Sequence, residues 1–145
     1  MTQPLLVSEQ HPRSRRWAVL TDEGASVWLY LTEPDGERPV ADCWLLNLVP
    51  APTDLSAYRT SKGPPPATRH YTAESPAERP SADAIRFQWS VDGDSVAIFM
   101  NGDVLGFIAA GRKRGFSKHL TSEGPYGLPM DDELYALLFR QAGDS

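Results

Sequence analysis

The sequence is short of cysteine, histidine, basic charge and long apolar runs, and each shortage removes a class of protein. Cys43 is the only cysteine among 145 residues, so an intrachain disulfide scaffold is excluded, and a lone thiol suits a reducing cytoplasm. Apolar stretches such as residues 104–110 fall far short of the ~20 residues that a spanning helix needs. Residues 1–10 hold only Leu5-Leu6-Val7 as an apolar run, which is not the pattern of a secretory signal. The histidines, His11, His70 and His119, are scattered and far from Cys43, whereas a zinc site needs three or four ligands, usually in close pairs. No metal or other cofactor is therefore expected. Fourteen Lys and Arg residues against 19 Asp and Glu leave a net charge of −5, which argues against a general nucleic-acid binder.

Catalytic signatures are missing too. The chain has no Gly-x-Ser-x-Gly elbow, phosphate-binding loop or dinucleotide fingerprint. Cys43 lies in Ala41-Asp42-Cys43-Trp44-Leu45, a strand interior where a small buried thiol is the ordinary finding and thiolate character is low. Asp92-Gly93-Asp94 and Asn101-Gly102-Asp103 lack the ligand spacing of a calcium loop and read as hairpin turns. The expectation is a protein that is not an enzyme.

What is present is β patterning. Residues 17–20, 26–31 and 40–49 are rich in β-branched, aromatic and leucine residues and are separated by Asp22-Glu23-Gly24-Ala25 and Glu33-Pro34-Asp35-Gly36-Glu37, which predicts a three-stranded meander. In the second half Ile85, Phe87, Trp89 and Val91 alternate with Arg86, Gln88 and Ser90, and residues 95–100 and 104–109 follow across tight turns. That pattern predicts a second meander. The match between 22–27 and 91–96 suggests a duplicated unit, although turn chemistry alone produces such similarity. Between the meanders, residues 50–83 hold Pro50, Pro52, Pro64, Pro65, Pro66, Pro76 and Pro80. Such a segment is extended rather than helical, and Tyr58, His70 and Tyr71 should anchor it across a sheet. Pro129, Asp131, Asp132 and Glu133 lead into Leu134, Leu137 and Leu138 at helical spacing, and Gly143 should end that helix.

The fold expected is thus mainly β (α+β): six principal antiparallel strands in two three-stranded meanders, joined by a long proline-rich segment, with one C-terminal helix packing on the sheet. Residues 1–15 read as a flexible arm and 16–145 as one domain, divided into a first meander (16–49), the bridge (50–83), a second meander (84–110), and a basic loop with the helix (111–145).

Two surfaces stand out. Arg112, Lys113, Arg114 and Lys118, beside His119, gather four of the fourteen basic residues; they are candidates for holding a phosphate, nucleotide, RNA or other anion. The other ten basic residues face all 19 acidic ones, with much of the acidity at turns: Asp22 and Glu23, Asp35 and Glu37, Asp92 and Asp94. If both meanders place their tips at one edge, these carboxylates and Tyr126 form an acidic rim that attracts a basic protein partner. Small acidic proteins of this kind resemble, at the level of a class, bacterial immunity proteins that neutralise a toxin. Partner binding through that rim is the leading expectation, anion binding by the basic loop the alternative. Neither requires a membrane, and homo-oligomers are compatible with both.

Overall fold

The structure, a computed structural model, describes residues 6–36, 38–58, 64–73 and 76–139. Strands β1 (Leu6–Gln10), β2 (Trp17–Asp22), β3 (Ser26–Thr32) and β4 (Pro39–Asn47) form one antiparallel sheet in chain order. Strands β5 (Ile85–Trp89), β6 (Val96–Met100), β7 (Asp103–Ile108), β8 (Phe116–Ser117) and β9 (Leu128–Pro129) form a second, again in chain order. Only β8 and β9 run parallel. The mainly β architecture with a single C-terminal helix, α1 (Asp132–Phe139), is as the patterning implied.

The two sheets share one core. Val27, Leu29 and Leu31 of β3 pack with Ala18, Leu20, Cys43 and Leu45 and, from the second sheet, Ile85, Val96, Ile98, Leu105 and Ile108. At one side the sheets are joined by main chain: Asp42 N donates to Lys113 O (3.0 Å) and Gly115 N donates to Asp42 O (2.8 Å). Gly106 of β7 makes this approach possible, because a Cβ there would stand 2.7 Å from Phe116 O and 2.8 Å from Leu45 Cδ2.

With both faces of β3 apolar, its other face needs cover as well. The bridge supplies it. Pro66, Ala67 and Thr68 are buried, and Ala67 joins Trp28, Trp44, Leu120 and Tyr126 in a second cluster against Tyr30 and Tyr71. Asn47 clamps the segment: its Oδ1 accepts from Ala67 N (2.8 Å) and from Trp44 Nε1 (2.9 Å), and its Nδ2 donates to Ala67 O (2.9 Å). Of the expected anchors, Tyr71 packs in, whereas His70 is exposed and Tyr58 ends a short 3-10 turn. Asp131 precedes helix α1, its Oδ1 accepting from Leu134 N (2.9 Å), and the helix packs Leu134, Tyr135, Leu138 and Phe139 on Ala97, Phe107 and Phe116. The expected stop at Gly143 lies outside the described residues. Among those described, no helix is long and apolar enough to cross a membrane.

One expectation needs correction. Residues 6–10, expected as part of a loose arm, form β1, in register from Leu6 opposite Thr21 to Gln10 opposite Trp17. Two things hid the strand: the free edge of β2 supplies its hydrogen bonds, and after Val7, which packs against the core, the next residue on that face is the exposed Glu9, whose Oε2 accepts from Trp89 Nε1 (2.8 Å). Strands β8 and β9 are two residues each, too short for any periodicity to register.

Candidate functional site

Successive turns of a meander lie at opposite ends of its sheet, and this separates the acidic tips. The turn after β2 is at one end, and the turn after β3 is at the other. The loop between β1 and β2 reaches both the latter turn and the turn after β5: Arg15 Nε pairs with Asp35 (2.8 Å), Arg16 Nε with Asp94 (3.0 Å), and Ser14 Oγ donates to Gly93 O (2.8 Å). The single acidic rim imagined from the sequence is therefore not formed. Asp35 and Asp94 share their end with cations, while Asp22 and Glu23 sit across the molecule.

The described acidic residues of that set also have local duties. Asp22 is buried, ion-paired with Arg79, and accepts from Gly24 N (2.8 Å). Glu23 accepts from Thr21 Oγ1 (2.6 Å). Asp92 accepts from Ser90 Oγ (2.6 Å) and Asp94 N (2.9 Å), bonds that hold its carboxyl below the usual range. Glu37 lies outside the described residues. Tyr126, read from the sequence as an exposed aromatic, is buried at 4% exposure between Trp28 and Tyr71, and burial raises its phenol pKa. Its carbonyl receives Trp44 N (3.1 Å), so this loop closes the aromatic cluster instead of facing solvent.

The basic loop is likewise divided. Gly111, at φ +79°, turns the chain after β7, and Arg112 N donates back to Ala109 O (3.2 Å). This turn sets Arg112 and Lys113 beside Arg16. Together with Leu31, Val40, Asp94, Ala110 and Gly111 they line a cleft of about 400 Å3. Arg16 is fixed in it from two sides, its Nη1 donating to Thr32 O (3.0 Å) while Nε holds Asp94. The Arg112 guanidinium lies 5.5 Å from the centre of the Phe116 ring. Arg114 is engaged elsewhere, donating to Gly124 O and Glu123 Oε1, both at 2.9 Å. Lys118 and His119 follow β8 and are not part of the cleft: Lys118 N donates to Leu105 O (2.9 Å), and His119 O accepts from Thr72 Oγ1 (2.7 Å).

The cleft thus keeps two of the five residues of the basic segment and adds Arg16. The sequence held one faint sign of it, the run Arg13-Ser14-Arg15-Arg16, which loop composition explained equally well. Cys43 is wholly buried, its Sγ 3.3 Å from Phe116 O, and burial pushes the thiol pKa well up, so it carries no thiolate. Asp94, the only carboxylate among the described residues that line the cleft, is bound to Arg16. Comparison with protein families, curated proteins and solved structures finds no match.

Proposed function

We propose that the protein is a non-enzymatic binding module of the cytoplasm that recognises an anionic group in the Arg16, Arg112 and Lys113 cleft. The observation that carries this is convergence: cations from segments nearly a hundred residues apart meet around one concavity, and one of them is held by a carboxylate and a carbonyl before any ligand arrives. A guanidinium fixed in advance loses less entropy on binding than a free one. The volume is within the ~300–1,000 Å3 usual for small-ligand sites. Melting temperature in low-salt buffer tests it. Phosphate or a phosphorylated ligand should raise the melting point of the native protein, and the Arg112→Ala, Lys113→Ala double variant should lose that rise while melting normally alone. If no anion shifts the native protein, the reading fails.

A second reading, docking of a basic protein in the manner of immunity proteins, is supported by a different surface. Glu123, Asp131, Asp132 and Glu133 surround an open depression floored by Phe116, Leu128 and Met130. Such a surface offers charge at its margin and apolar contact within. Replacing Asp132 and Glu133 by lysine should abolish capture of a cationic partner if this reading holds and leave anion binding untouched.

A further inference from the structure

The cleft's charge and walls say more about its ligand than that it is anionic. Among the described residues three cations line it against one carboxylate, an excess of two positive charges. A carboxylate or a phosphodiester group brings one negative charge, whereas a phosphate monoester brings about −1.5 to −2 near neutral pH. Beyond the cleft the charge is mixed. Arg13 and Arg38 are exposed nearby in sequence, but Arg15 is taken by Asp35 and Asp92 occupies the turn after β5, so a chain of phosphates would meet carboxylates as well as cations.

The walls are uneven. Between β3 and β4 the register shifts, Leu31 standing opposite Ala41 and Thr32 opposite Pro39. Val40 is the extra residue of that bulge and is 44% exposed. A bulge re-aims a side chain, and here it leaves an apolar residue at the lip of a charged cleft whose lining includes the buried Leu31. Bare inorganic phosphate has no use for such a wall.

We infer, on the basis of the anion-binding reading, that the cleft takes the terminal phosphate of a small phosphomonoester, with Arg16, Arg112 and Lys113 around the phosphate and the organic body of the ester against Val40 and Leu31. Calorimetry at low ionic strength with phenyl phosphate, inorganic phosphate, benzoate and an unphosphorylated oligothymidine tests this. Phenyl phosphate should bind about tenfold tighter than inorganic phosphate, the gain from covering part of a ring, and both should bind tighter than benzoate or the oligonucleotide. Lys113→Ala should weaken both phosphates about tenfold. Val40→Ser, at an exposed position, should erase the preference for phenyl phosphate and leave inorganic phosphate unchanged. Equal binding of the two phosphates, or benzoate or oligonucleotide binding as tightly as phenyl phosphate, overturns the phosphomonoester assignment while anion binding stands. Absence of binding by every anion overturns both.

Discussion

Asn47 is the residue on which the cover of the first sheet hangs. Its buried amide makes three hydrogen bonds, two to Ala67 and one to the Trp44 indole, so removing it strands the buried main-chain and indole groups of its neighbours. Leaving a buried donor or acceptor unpaired costs about 1–3 kcal/mol each. Asn47→Ala should therefore destabilise by roughly 3 kcal/mol in urea unfolding, with part relieved as the bridge lifts and water enters. Asp42 acts in the opposite sense. It is half-buried beside Tyr30, and burial raises its carboxyl pKa, so the folded state favours the protonated form. The sign follows: wild-type stability is reduced above the folded pKa, where the buried group must be charged, and recovers as pH falls through it. Asp42→Asn should be the more stable protein at pH 7, by less than about 1 kcal/mol given the solvent around the group, and the difference should vanish in acid melts.

Elements made of alternating residues were legible in the sequence, and those defined by a neighbour were not. In β5, Ile85, Phe87 and Trp89 alternate with Arg86 and Gln88, and the hairpin turns carry glycine and aspartate; such features are local, and they gave β2 to β7 their places, and α1 its start, within a residue or two. Strand β1 exists because β2 has an edge to pair, and β8 because β7 does. The same division governs the site. Arg112 and Lys113 drew notice as adjacent cations, but Arg16 joins them only through the packing of one loop on two turns, which no spacing encodes. The seam between β4 and β7 is equally non-local and rests on Gly106. Gly106→Ala would force its Cβ within 2.7 Å of the Phe116 carbonyl oxygen, a backbone atom with little room to yield. Overpacking of this kind costs about 1–3 kcal/mol. The loss should appear in chemical denaturation, with amide exchange quickening at Gly115 and Lys118, whose N–H groups bond across the seam and to β7.

At the scale of the molecule, the two similar meanders share one core, and the expectation is that they fold as one unit. Leu20, Leu29 and Cys43 of the first sheet and Val96, Ile98 and Ile108 of the second are fully buried in one cluster, so either sheet alone would show that apolar face to water. Long-range pairing dominates, and the bridge lies on the first sheet while the loop between β8 and β9 of the second completes its aromatic cover through Leu120 and Tyr126. Neither half retains its surroundings when the other is removed. Trp44, buried in β4, reports mainly on the first sheet and its cover, and amide exchange at Ile98 and Phe107 reports on the second. Both probes should give one urea midpoint and one m-value, as expected of a cooperative domain of this size. Ile98→Ala, a truncation in the second sheet, should cost about 2–5 kcal/mol and move the Trp44 transition by the same free energy. A fragment covering residues 1–83 should accordingly lack native near-ultraviolet dichroism. If that fragment shows the native tryptophan spectrum, or if Ile98→Ala leaves the Trp44 midpoint in place, the shared core does not couple the sheets and each meander folds on its own.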